Sequence, residues 1–234
     1  MVTTLYLVRH GATEGSEVKR YKGSIDVPMS EKGIAQVEKA SVFISTEVLK
    51  RGSAEATSEL AAVYTSPLNR ALKSAEIIAR PHNLTPVVIN DLRERSFGVW
   101  EGMSFNEIRE QYPEAFETWA NNPLKYSPVG GESTLEVRDR VINALEKIIN
   151  SHNGEGTVPD LRTKQSGVVE SGLSPAISIA IAAHGGVNRI ILCHVIGIPL
   201  ENIFRIEQDN AAVNIIEFWD KYPVVKLLNG VAIG

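Results

Sequence analysis

Three short stretches carry side chains that could do chemistry. TTLYLVRHG ends an apolar run with Arg9, His10 and Gly11, and ISIAIAAHGG ends another with His184, Gly185 and Gly186. YTSPLNR brings Ser66 and Arg70 just past a third. Charge at the end of a buried strand is costly unless it is paired or meets solvent or ligand. Position alone leaves an even alternative, in which Arg9 pairs with a surface carboxylate and His10 caps its strand. The independent repeat of a His-Gly strand end at His184 weighs against coincidence. Two guanidinium groups would repel a cation, and metal-binding histidines normally keep Asp, Glu or Cys for company. Arginine forks suit phosphate or carboxylate oxygens instead. These residues therefore predict an anion pocket, with no metal and no cofactor.

The elements that must position such a pocket can be read from pattern. TTLYLVRH, LAAVYTS, TPVVIND, PAISIAIAA, AAVNIIEFW and PVVKLLNG read as strands, the first apolar enough to be buried on both faces. A helix over EKGIAQVEKASVFISTEVLK is capped by Ser30, with Ile34, Val37, Ala40, Ser41 and Ile44 on one face. A second, over SPLNRALKSAEIIAR, has Ser66 as cap and Pro67 in first position, and a third runs over GVNRIILCHVIG. Between about 97 and 150 the pattern is helix and loop only, which predicts a helical insert beside the sheet. Residues 151–174 are polar with four glycines and are expected to be a disordered loop rather than a lid. Strands alternating with helices predict an α/β fold, a three-layer α/β/α sandwich with a mostly parallel sheet, as a single domain over 1–234. In such a sheet ligands bind outside the carboxyl ends of the strands, where Arg9, His10, Arg70 and His184 fall.

Composition narrows the setting. The chain has 24 basic and 28 acidic residues, a net charge of −4, with 43% hydrophobic and 22% charged residues, the profile of a soluble globular protein. A pI near 5.8 gives no electrostatic reason to expect nucleic acid or an anionic membrane as partner. The apolar stretches at 177–183 and 190–200 are shorter than the roughly 18 residues a membrane span needs. No secretory signal pattern opens the sequence, so a cytoplasmic location is expected. A lone Cys193 in IILCHVIG excludes a disulfide framework and reads as a core thiol.

Six blocks, LVRHGAT, RYKGSIDVPMSEKG, YTSPLNRALKSAE, LRERSFGVWEG, GGESTLEVRDRV and AAHGGVNR, occur in this order from residue 5 to about 190. Together they resemble the histidine phosphatases, or phosphoglycerate mutase-like superfamily. FGVWEG is similar to its phosphatase branch, which includes α-ribazole phosphatases. The resemblance implies a phosphoglycerate mutase-like fold and a small phosphorylated substrate. It makes His10 the nucleophile that becomes a phosphohistidine, and Arg9, Arg70 and His184 the phosphate pocket. Gly23 and Gly185 are expected at the substrate. Glu94 matches the proton donor, with Glu101 the runner-up; outside the motif, Glu94 would read as a surface carboxylate pairing with Arg93 or Arg95. The chain departs from the family pattern in RHGATEGS. Ala12 stands where many relatives have an acidic residue, Gly15 where they have Trp, and Ser16 where Asn would contact phosphate with two amide donors.

Other residues rank lower. His82 and His152 read as solvated and His194 as a helix residue without a catalytic part. Trp100, Trp119 and Trp219 read as core or contact residues, Asp26 as turn support, and Arg20, Tyr21 and Lys22 as a solvated basic loop that could line the pocket. The leading expectation is a metal-independent phosphomonoesterase. The alternatives are a cofactor-dependent phosphoglycerate mutase, for which the segment after FGVWEG is too compact, and a phosphate-binding regulatory domain without turnover, for which none of the key residues is lost. Substrate and oligomeric state do not follow from these residues.

Overall fold

The computed structural model describes residues 2–16, 20–51, 59–152, 177–219 and 222–231, so the 151–174 loop, apart from its first two residues, lies outside the described residues. Six strands form one sheet: β1 (Thr3–Arg9), β2 (Leu60–Thr65), β3 (Val87–Val88), β4 (Ile177–Ala183), β5 (Val213–Phe218) and β6 (Pro223–Gly230), in the order β3-β2-β4-β1-β5-β6. Strands β1 to β4 pair in parallel, and β5 runs against both β1 and β6. The sheet is thus mixed but mostly parallel, as the alternating pattern predicts.

Side chains of β1 alternate between two cores. Leu5 and Leu7 join Ile179, Ile181 and the apolar faces of α5 (Thr134–His152) and α6 (Gly185–Ile196). Tyr6 and Val8 join Ala180, Ala182 and the faces of α1 (Glu31–Lys50) and α2 (Asn69–Ala79). Burial on both faces explains the unbroken apolar runs of β1 and β4. In α1 the buried positions Gly33, Val37, Ala40, Ser41, Ile44 and Val48 follow helical spacing, and the Ser30 hydroxyl accepts the Gly33 N–H at 3.2 Å, the expected cap. Gly33 meets the end of β1 backbone to backbone: a Cβ on Gly11 would lie 2.2 Å from the Gly33 carbonyl oxygen. That contact needs glycine and fixes where the chain turns after His10.

The helix-and-loop stretch from 97 to 150 divides in two. The helices α3 (Phe105–Gln111) and α4 (Pro113–Asn121) are short; Ser104 and Glu107 form a capping box at the first, and Pro113 opens the second. Phe105, Phe116, Trp119, Trp100 and Tyr126 pack edge-to-face or stacked to hold them together. The long helix α5 is a layer helix, its Val137, Val141, Leu145 and Ile148 buried in the core with α6.

Several expectations fail for local reasons. Ser66 does not cap α2, which starts three residues later. Its N–H continues the sheet ladder to the Ala182 carbonyl, and Asp26 instead takes the Asn69 N–H at 2.8 Å and its Nδ2 at 2.6 Å. The TPVVIND strand shrinks to exposed Val87 and Val88 at the sheet edge. His82 and His152 are half-buried, bonded to the Ser45 and Tyr64 hydroxyls, while Trp219 is 53% exposed rather than packed. Cys193 is buried, as read, whereas His194 is exposed rather than packed or half exposed.

Candidate active site

Register brings the two His-Gly ends together. Arg9 lies opposite Ala183 in the parallel pair β1–β4, so His10 and His184 leave adjacent strand ends side by side, their ring centroids 5.3 Å apart and edge-on. The His10 N–H still donates to the Ala183 carbonyl at 3.0 Å. Its ring Nδ1 lies 2.7 Å from the Gly11 carbonyl oxygen. A carbonyl can only accept, so Nδ1 carries the hydrogen and Nε2 keeps its lone pair. Burial first, then the Arg70 charge, with Arg9 and Lys22 adding, lower the His10 pKa to about 3 against the opposing Gly11 hydrogen bond.

A cavity of about 590 Å³ opens over these strand ends. Arg9, His10, Arg70 and Glu94 all line it, as do Gly23, Gly185 and Ser16. The first turn of α6 contributes Gly185 and Gly186, so the positive end of a helix faces the cavity. His184 does not line it. This histidine is fully buried, its Nε2 2.7 Å from the Ser66 hydroxyl and its Nδ1 buried without a partner. Burial, then His10 and the Arg70 and Arg9 charges, hold it well below its ordinary pKa.

Arg70 is buried, with Nη1 donating to the Ile25 carbonyl and Nη2 to the Gly23 carbonyl, each at 2.7 Å. Gly23 thereby aims the arginine. It sits at φ +46°, and a Cβ there would meet Glu101 Oε1 at 2.4 Å. Arg9 donates from Nη1 to the Gln208 carbonyl and leaves a buried Nε unpartnered. Burial lowers the pKa of both arginines, and Glu94 opposes it.

The Glu94 carboxylate accepts the Gly186 N–H at 3.1 Å and the Arg95 N–H at 2.9 Å. Its neighbours Arg93 and Arg95 do not pair with it: Arg93 bonds to Glu132, and Arg95 spends its guanidinium on the Glu132 carbonyl, Thr134 and the Tyr126 carbonyl. Arg140 on α5 fixes the Glu94 segment, donating to the carbonyls of Asp91, Arg93 and Glu94 while gripping the Glu132 carboxylate. Glu101, the runner-up acid, is outside the cavity, its Oε1 occupied by Ser24 and the Phe97 N–H. Arg20, Tyr21 and Lys22 do line the cavity, and so does Trp119. Trp119 at the cavity and Arg140 behind Glu94 have no sequence signal, because α4 and α5 reach these places through tertiary packing.

The family profile of the histidine phosphatase superfamily (branch 1) matches residues 5–159 and 157–230. Phosphoserine phosphatase 1 of Hydrogenobacter thermophilus is 28% identical over 96% of this chain and 91% of its own. The metal-independent phosphoserine phosphatase of Arabidopsis thaliana is 30% identical over 96% of this chain and 80% of its own. Among solved structures, the α-ribazole phosphatase of Shigella flexneri superposes with a TM-score of 0.77 at 23% identity, covering 99% of this chain and 98% of that one. The chain belongs to branch 1 of the histidine phosphatase superfamily and is a phosphatase.

Proposed function

We propose that the protein is a metal-independent phosphomonoesterase that hydrolyses a small phosphorylated metabolite through a phosphohistidine at His10. The observation that carries this is the Nδ1–Gly11 contact, which leaves an unprotonated Nε2 at a cavity lined by Arg9, Arg70 and Glu94. In the first step Nε2 attacks phosphorus in line, the P–O ester bond breaks, and the leaving oxygen takes a proton from the Glu94 carboxyl. In the second, the Glu94 carboxylate takes a proton from water, whose oxygen attacks phosphorus. The N–P bond then breaks, its electron pair returns to Nε2, and inorganic phosphate leaves. Arg9 and Arg70 stabilise charge on the equatorial oxygens, the dominant requirement of phosphoryl transfer. His184 stands behind them: the Ser66 hydroxyl accepts the Leu68 N–H and gives its own hydrogen to Nε2, so the hydrogen of the ring sits on Nδ1, packed beside His10 rather than in the cavity wall. Ser16, in the cavity lining, offers a single hydroxyl donor where the family pattern has an amide. The arginine-rich lining favours an anionic ligand over a divalent cation as the resident charge.

We read residues 1–234 as one domain, since β1 and β4–β6 come from opposite ends of the chain and share one sheet. Among the described residues no helix is long and apolar enough to cross a membrane. We assign the enzyme to the cytoplasm, without a nucleic-acid partner, on its acidic balance and its single cysteine.

The test is phosphate release from p-nitrophenyl phosphate, 3-phosphoglycerate and a panel of phosphomonoesters with chelator present. Wild type is expected to release phosphate and to form an acid-labile phosphohistidine; His10→Ala should do neither. Glu94→Gln should slow alkyl esters by roughly 10²–10⁴-fold and the p-nitrophenyl ester, whose leaving group needs no proton, far less. Activity that needs added metal and survives in His10→Ala would overturn the mechanism. Interconversion of 2- and 3-phosphoglycerate without net release would make the enzyme a mutase.

A further inference from the structure

The cavity holds more positive charge than one phosphoryl group uses, and hydrogen bonding separates its cations. Arg95 is spent on protein acceptors, Arg20 pairs with Glu107 at 2.7 Å, and Lys22 donates to Thr13 and the Glu14 carbonyl. Arg70 and Arg9 are held by backbone carbonyls at the phosphoryl end.

Arg189 stands apart. It lines the cavity and is half-buried, yet among the described residues only its Nε finds a partner, donating to the Ile206 carbonyl at 2.7 Å. No acidic side chain among the described residues pairs with it. The bond at Nε fixes the guanidinium plane and leaves the two terminal nitrogens as a fork. Arg189 Nη1 lies 3.3 Å, and Arg9 Nε 3.4 Å, from the point where a Cβ on Gly185 would sit. Two like charges therefore flank one edge of the cavity, and the Arg189 charge acts on Arg9 unfavourably, while Glu207 and Asp209, both exposed, act in the opposite sense. The same edge carries Gly186, whose N–H donates to Glu94, the proton donor of the proposed mechanism.

We propose that Arg189 anchors a second anion subsite, so that the preferred substrate is a phosphomonoester whose carbon skeleton bears a carboxylate within a few bonds of the ester oxygen. This rests on the phosphomonoesterase reading above. A carboxylate matches the planar fork, and the closeness of Arg189 to Arg9 requires it to lie near the phosphoryl group. The lack of a side chain on Gly185 leaves the space between the two arginines open. Arg189 is a binding residue for the substrate skeleton and takes no part in the phosphoryl step.

Matched substrates test this. O-phosphoserine against O-phosphoethanolamine, and 3-phosphoglycerate against glycerol 3-phosphate, differ by the carboxylate. Wild type is expected to favour the carboxylate member of at least one pair by roughly tenfold to hundredfold in kcat/KM, the range for a hydrogen-bonded charge. Arg189→Gln should collapse that preference chiefly through KM, and Arg189→Lys should keep part of it. Equal rates within both pairs, or a uniform fall for all four substrates in Arg189→Gln, would overturn the subsite and leave the phosphatase reading standing. No release from any ester, p-nitrophenyl phosphate included, would bring down both.

Discussion

A histidine attacks phosphorus only through an unprotonated nitrogen, and the surroundings of His10 secure that before substrate arrives. Burial and the Arg70 charge take its pKa to about 3, against an ordinary value of 6.5. The same shift has a consequence for stability. Between those values the unfolded chain binds a proton at this position and the folded one does not, so the native state loses stability as pH falls from 6.5 toward 3 and gains nothing further above 6.5. The loss should approach 1.4 kcal/mol per pH unit, with buried His184 adding in the same sense. Urea unfolding followed across pH 4 to 7 should show this slope, reduced by about one proton in His10→Asn; an unchanged slope in the variant would contradict a neutral buried His10. At this scale the sequence was informative because strand ends and motif spacing are local: Arg9, His10, Arg70 and Glu94 all reach the cavity. His184 was found as a member of the cluster but not as a wall of it, since sequence carries no measure of how deep a strand end sits.

Elements are placed by contacts that sequence does not announce. The Ser-Pro pair at 66–67 has the composition of a helix start, yet the chain stays in the ladder through Ser66 and α2 begins at Asn69. Its first N–H is met by Asp26, a residue read from sequence only as turn support. That link ties α2, which carries Arg70, to the segment holding the Gly23 and Ile25 carbonyls that aim it. Asp26→Ala should therefore cost about 1 kcal/mol, as loss of a cap does, lowering Tm by roughly 2 to 4 °C for a chain of this size. It should also raise KM, because Arg70 loses one of the contacts that set its helix. Calorimetry together with steady-state kinetics checks both; a lower Tm with unaltered KM would mean that the cap serves α2 alone. The layer helices were legible from their periodic apolar faces. The role of Arg140 was not, because its partners lie on the distant Glu94 segment rather than on its own helix.

Over the whole molecule the cavity is a joint between the two ends of the chain. Strand β1 opens the sequence, β4 follows residue 176, and their paired ends place the two histidines, while β2 and α2 bring Ser66 and Arg70 from between. A ligand held by His10 and Arg70 together binds only the assembled sheet and must stabilise the global fold, not one loop. Inorganic phosphate at about 100 times its Kd should add about 2.7 kcal/mol, a rise in Tm of roughly 5 to 10 °C at this chain length. The rise should be the same with chelator present, because the resident charges of the site are arginines. It should shrink strongly in Arg70→Lys, which keeps a charge but cannot hold the Gly23 and Ile25 carbonyls and a phosphoryl oxygen with one fork. Calorimetry with and without phosphate settles the matter: no shift in wild type, or one abolished by chelator, would show that the arginine cluster is not the seat of the anion. The reading of the fold as a scaffold for a phosphoryl site would then fail at its base.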